Sequence, residues 1–151
     1  MALEGDYGPS PSEWVREQVA LYESSGGTKG TTLRDTGLPV VIITSRGART
    51  AKVRKTPLMR VENGGRYAAI ASKGGAPEHP LWYRNLIESP LVTLQDGPTR
   101  SEMSVRELEG PERDEWWERA VAAYPPYADY QERTERRIPV LLLEPAGRSS
   151  P

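Results

Sequence analysis

The chain contains no cysteine. That absence excludes disulfides, thiolate catalysis and any zinc site built on sulfur. Histidine is almost as scarce: His79 stands alone, which argues against a multi-histidine metal centre. No stretch approaches the roughly 18 apolar residues needed to span a bilayer. The opening Met1-Ala2-Leu3-Glu4-Gly5-Asp6 has neither the basic start nor the apolar run of a signal peptide. A cytoplasmic location is therefore expected. Large excess charge is lacking too: the net charge is −1, so the protein as a whole is not a polyanion binder, and no nucleic-acid partner is expected.

What is present fits one domain of 151 residues, with residues 1–25 an N-terminal segment carrying a helix and 146–151 a tail. The charge is uneven. Arg46, Arg49, Lys52, Arg54, Lys55 and Arg60 lie close together with no acid among them, and Glu107, Glu109, Glu112, Asp114, Glu115 and Glu118 form an acidic counterpart. A local basic cluster in a near-neutral protein suits a small anionic ligand better than a long polymer.

Periodicity and punctuation predict helices over Ser12–Ser24, Pro80–Ser89 and Pro111–Tyr124, and a further helical turn or two over Tyr127–Arg136. Strands are predicted over Leu38–Ser45, Val53–Val61 (broken by Pro57, which suits an edge or a bulge), Arg66–Ser72, Leu91–Gln95, Thr99–Leu108 and Ile138–Glu144. Asn63-Gly64-Gly65 signals a hairpin turn. About six strands joined mostly by short turns should be antiparallel. The expected fold class is α+β, mainly β: a small closed or half-closed barrel with helices packed outside.

Three constellations carry candidate chemistry. The run Ser72 to Leu86 reads as a strand that ends in a Gly-Gly turn and restarts as a helix. Free backbone N–H groups, Ser72 and Lys73 at such a junction favour an anion, and so point to a phosphorylated ligand. In the same run Trp82 and Leu86 are spaced for core packing as well as for ligand contact, and His79 is read as helping to cap the following helix. The run Gly47 to Leu58 is a basic loop leading into a strand, on which Arg54 and Lys55 point to opposite faces. Its plain alternative is a solvated surface loop. Finally, Tyr124, Tyr127 and Tyr130 recur every three residues, so a helical turn gathers them on one face. Such a cluster either walls a pocket for a flat substrate and supplies a proton, or forms an aromatic lid over the barrel. The absence of a carboxylate pair, a nucleophile–base pair or a metal signature fits chemistry carried by an organic cofactor.

Together these segments resemble the deazaflavin-dependent nitroreductase family of actinobacteria. The resemblance covers Gly47 through Leu58, Ala71 to Ala76 with His79 to Leu86, Tyr124 to Tyr130, and the closing Arg137-Ile138-Pro139-Val140. It implies a split β-barrel of the flavin-reductase and pyridoxamine-oxidase kind, and the reduced deazaflavin coenzyme F(420) as hydride donor. Ala48, Arg49, Thr50, Arg54, Lys55 and Thr56 would hold the coenzyme's phosphate and acidic tail. Pro57, Leu58, Met59 and Ile70 would run beside the ring. Ala71, Ser72 and Lys73 would meet it, with Gly74 and Gly75 allowing close approach. Trp82, Tyr83 and Asn85 would complete the cofactor site. Tyr124, Tyr127 and Tyr130 would form the catalytic wall, Tyr127 nearest the cofactor, and Ser72 would orient the substrate. Met59 stands where a member of that family has an aromatic residue, and Ala51 where a glycine is usual. The implied acceptors are nitroaromatics, quinones and activated alkenes such as enones.

Two other readings share the barrel: an enzyme using flavin mononucleotide (FMN), and a non-catalytic cofactor carrier or nucleic-acid-binding barrel. The last is weakened because aromatic and basic residues lie in separate segments. The expected assembly is a monomer or homodimer. The stretch Ser12 to Ser24 either covers the substrate pocket, packs on a partner subunit or touches a membrane surface. Its one basic residue, Arg16, disfavours the last.

Overall fold

The computed structural model describes residues 6–33, 36–47 and 52–146. In chain order the elements are α1 (Glu13–Ser24), β1 (Val40–Arg46), β2 (Val53–Met59), β3 (Glu62–Asn63), β4 (Arg66–Ile70), α2 (Leu81–Glu88), β5 (Leu91–Asp96), β6 (Thr99–Glu107), α3 (Gly110–Ala123), α4 (Pro126–Glu132) and β7 (Val140–Pro145). The strands form one seven-stranded sheet in the order β2-β1-β5-β6-β7-β4-β3, with every neighbouring pair antiparallel.

Alternation along the strands feeds two apolar layers. On β1 and β7, Val40, Ile42, Val140 and Leu142 join α1, α3 and α4 in a first cluster, through Tyr22, Trp116, Ala120 and Tyr127. Their neighbours Val41, Ile43, Leu141 and Leu143 join α2 in a second, through Leu86. Both strands are buried on both faces, which is why they read as continuous apolar runs. The sheet curls until side chains bridge its two halves. Tyr67 on β4 donates its hydroxyl to Asp96 at the end of β5 (2.6 Å), although β6 and β7 lie between those strands in the sheet. Arg60 completes this stitch with a 2.8 Å ion pair to the same carboxylate.

Two local expectations change. Strand β2 runs unbroken through Pro57, which pairs with Ile42. Proline is tolerated there because β2 is a terminal strand of the sheet, with no second ladder to supply with N–H groups. The predicted helix after Tyr127 begins at Pro126 and ends at Glu132, short of Arg136.

Candidate active site

Strand β4 delivers the Ser72 turn. The Ala71 N–H is held by the Pro139 carbonyl (3.0 Å), and the chain then closes into a single 3-10 turn over Lys73–Gly75. Lys73 has φ 46°, the one positive value at a non-glycine among the described residues. A side chain in the left-handed region costs about 1–2 kcal/mol, so surrounding contacts must hold it there. Helix α4 is one such contact. A Cβ on Gly75 would lie 2.7 Å from the Tyr130 carbonyl oxygen, so the turn and the helix touch only because residue 75 is glycine.

That docking puts the three tyrosines beside the turn. The Tyr124–Tyr127, Tyr127–Tyr130 and Tyr124–Tyr130 ring centroids are 5.0, 6.2 and 6.1 Å apart, so one face carries all three rings. The Tyr124 and Tyr130 hydroxyls lie 3.1 Å apart. This hydrogen bond, with burial, pushes the Tyr124 phenol up to about 12. Burial also raises Tyr127, which is 5% exposed. Both groups are hydrogen-bond donors rather than phenolates near neutrality.

The structure brings some predicted site residues together and separates others. Met59 and Ile70 share the first cluster with Tyr127, and Tyr124 and Tyr130 pack against it. Leu58, Trp82 and Tyr83 pack on the second cluster, across the sheet. Ala71 and Ser72 are buried at the end of β4, and Asn85 lies on α2 one turn from Trp82. The Tyr83 hydroxyl donates to Glu107 (2.5 Å), and burial with this bond pushes it up to about 12. On β2, Arg54 and Lys55 diverge as expected: Arg54 donates to the Gly8 carbonyl (2.9 Å), whereas Lys55 pairs with Glu23 of α1 (2.8 Å) and lies over the Tyr7 ring. Thr56 faces the Arg54 side and Pro57 the Lys55 side. Lys73 pairs with Glu78 (3.0 Å). Ala48, Arg49, Thr50 and Ala51 lie outside the described residues.

Sequence reasoning missed Arg136. Its guanidinium donates to the carbonyls of Ala71 (3.2 Å), Ser72 (2.8 Å) and Ala76 (2.8 Å), and lies 2.8 Å from His79 Nδ1. No local signal marks it, because these partners are 57 to 65 residues away in the chain. The role read for His79 changes with it. Helix α2 has no side-chain cap, and His79 instead faces Arg136.

A strand bearing Arg54 and Lys55, a strained lysine turn and a wall of tyrosine rings together match an anionic, flat, aromatic ligand. Comparison with known proteins gives that ligand class a name. The family profile described as F(420)H(2)-dependent quinone reductase matches residues 14–145. The chain belongs to this family. An F(420)H(2)-dependent quinone reductase of Mycobacterium tuberculosis is 32% identical over 144 residues, covering 87% of this chain and 96% of that protein. Among solved structures, an F(420)-H(2) dependent reductase, FDR-A, is 53% identical with a TM-score of 0.67, covering 70% of this chain and 94% of that one. Another, described as a domain-swapped dimer, is 50% identical with a TM-score of 0.70, covering 89% of this chain and all of that one, 100%. The haem storage protein HutZ of Vibrio cholerae, at 10% identity and a TM-score of 0.53, shares the fold alone. The curled sheet is thus a split barrel, and the F(420)H(2)-dependent quinone reductase family is a family of oxidoreductases whose reductant is reduced coenzyme F(420).

The residues present fit that coenzyme. Lys73 pairs with a single carboxylate on the surface, and such pairs are worth about 0–1 kcal/mol, so an anionic tail can exchange with it. Among the described residues, Lys55 is likewise paired with one carboxylate, at the edge of the sheet.

Proposed function

We propose that this chain reduces quinones with hydride from reduced coenzyme F(420), and that enones and nitroaromatics are admitted to the same site. The observation that carries the reading is the docking of the Tyr124–Tyr127–Tyr130 wall against the Ser72 turn. In this reading Arg54, Lys55 and Lys73, with Arg49 and Thr50, hold the anionic tail. The Ala71–Gly75 segment, Met59 and Ile70 seat the ring, and Trp82 and Asn85 complete the site.

When bound, the reduced deazaflavin supplies two electrons and a proton together as hydride. The chain's task is to hold a flat acceptor in contact and to exclude water, because hydride moves only across a short, aligned gap. The tyrosine wall supplies the second face of that slot. As hydride arrives, negative charge develops on the acceptor oxygen. The Tyr124–Tyr130 hydroxyl pair donates a hydrogen bond to it, Tyr127 is the tyrosine of the wall nearest the cofactor, and Ser72 orients the acceptor. One hydride and one proton convert a quinone to its hydroquinone, and in this reading the hydroxyl pair passes that proton on from solvent.

A titration with oxidised coenzyme F(420), followed by tryptophan quenching, tests the cofactor. Oxidation of the reduced coenzyme by a naphthoquinone, an enone and a nitroaromatic then tests the acceptor. Turnover of the quinone supports the reading, and binding of FMN in place of F(420) refutes it. The same proposal places the enzyme in the cytoplasm as a monomer or homodimer. Among the described residues no helix is long and apolar enough to cross a membrane. The 50% identical relative described as a domain-swapped dimer favours the homodimer, which sedimentation reads directly.

A further inference from the structure

Among the described residues Arg136 forms no ion pair within 4.0 Å. Its acceptors are three backbone carbonyls and one ring nitrogen, all on the segment Ala71 to His79. The arginine's own backbone is fixed from α4: the Gln131 amide donates to the Arg136 carbonyl (2.8 Å), and the Gln131 side-chain oxygen accepts the Ile138 N–H (3.0 Å). The tyrosine helix, the guanidinium and the turn are therefore one connected unit.

Peptide geometry gives this contact a direction. In a trans peptide the C=O and the next N–H point opposite ways. The Ser72 carbonyl is aimed at Arg136, so the Lys73 N–H is aimed away from it. The neighbouring amides are engaged elsewhere: Ser72 N–H with the Ile70 carbonyl (2.9 Å) and Gly75 N–H with the Ser72 carbonyl (2.9 Å). We infer that Arg136 is a positioning residue, which fixes the Ser72–Lys73 peptide plane so that the Lys73 amide presents a donor to the bound coenzyme. The inference rests on the reading of the Ser72 turn as the seat of the deazaflavin ring. His79 serves the clasp. A guanidinium has only donors, so Nδ1 must accept and the imidazole is held neutral with its proton on Nε2.

The test uses the whole chain with oxidised and reduced F(420), and the variants Arg136→Gln and Arg136→Lys. Because His79 is the sole histidine, its ring 15N shifts report the clasp without overlap. In the wild type, saturation with the oxidised coenzyme should shift the Lys73 amide resonance. Arg136→Gln should weaken coenzyme binding about tenfold, the order expected for losing a charged hydrogen bond. It should also raise KM for the reduced coenzyme more than KM for the quinone, and Arg136→Lys should recover part of the loss. A folded Arg136→Gln protein with altered His79 shifts and unchanged coenzyme affinity overturns the inference. Should the variants not fold, a Lys73 amide that stays unmoved in the saturated wild type overturns it alone. A wild type that binds no F(420) overturns the cofactor reading first, and the role of Arg136 with it.

Discussion

Gly75→Ala tests whether α4 is seated by the absence of a side chain. Two costs are combined at this position. Gly75 has φ +83°, where an L-residue costs about 1–2 kcal/mol. The added Cβ would also lie 2.7 Å from the Tyr130 carbonyl and 3.1 Å from both Tyr130 Cα and Arg133 Cβ, mostly unyielding backbone. Overpacking of this kind costs about 1–3 kcal/mol. Gly37→Ala separates the two, because Gly37 has φ +71° and nothing within 4 Å of its Cβ position. Gly37→Ala should lose only the backbone share. Gly75→Ala should lose both, about 2–5 kcal/mol, or about 5–15 °C of melting temperature for a chain of this size. It should also lower kcat, because relief of the clash moves the tyrosine wall off the turn. Thermal unfolding and steady-state oxidation of reduced F(420) read the two effects. Equal melting temperatures for the two variants, with kcat unchanged, would refute the argument.

Further outcomes follow from the same geometry. Lys55→Ala should weaken F(420) binding by tryptophan quenching, and unchanged affinity would remove the basic strand from the site. Tyr67→Phe deletes the hydroxyl that bridges β4 to Asp96 and leaves a half-buried carboxylate short of a donor; it should cost about 1–3 kcal/mol in urea unfolding. The Tyr124 phenol is raised to about 12 from 10.0, so its contribution is complete below pH 10 and declines as pH rises towards 12. Tyr124→Phe should flatten that alkaline limb, read as stability against pH. The shift at His79 is downward, from burial and then Arg136. Its contribution should therefore be intact above pH 6.5 and decline as the pH falls, which His79→Gln should remove.

Much of this was legible because it is local. The β-branched run of β1, the Gly64–Gly65 hairpin and the proline that opens α3 announce themselves within a few residues. The tyrosine spacing also placed three rings on one face correctly. What the sequence did not show is non-local. The sheet order seats β5, β6 and β7 between β1 and β4, and only closure of the curled sheet brings Tyr67 to Asp96. Pro57 signals an edge strand or a bulge, and nothing nearby says which; the sheet order shows that it is the edge. Lys55 is separated by 32 residues from its partner Glu23, so its pairing with α1 carried no pattern. Arg136 was hidden for the same reason, inside a stretch read as helix. Trp82 and Met59 belong to one proposed site by resemblance, and no local pattern shows that they pack on opposite layers of the sheet.

The terminal position of β2 has a bearing on how the protein avoids aggregation at high concentration. An unpaired strand edge is a template on which other chains add, and the usual route into aggregates. Here the outer edge of β2 is interrupted twice. Pro57 withholds an N–H from its middle, and the segment before α1 covers its start: the Val53 N–H bonds to the Asp6 carbonyl and the Gly8 N–H to the Val53 carbonyl, both at 2.8 Å. At the far end of the sheet, β3 is only two residues long, too short to recruit a neighbour. The split barrel is thus guarded at both of its margins against open-ended strand addition, which is distinct from closed pairing into a homodimer.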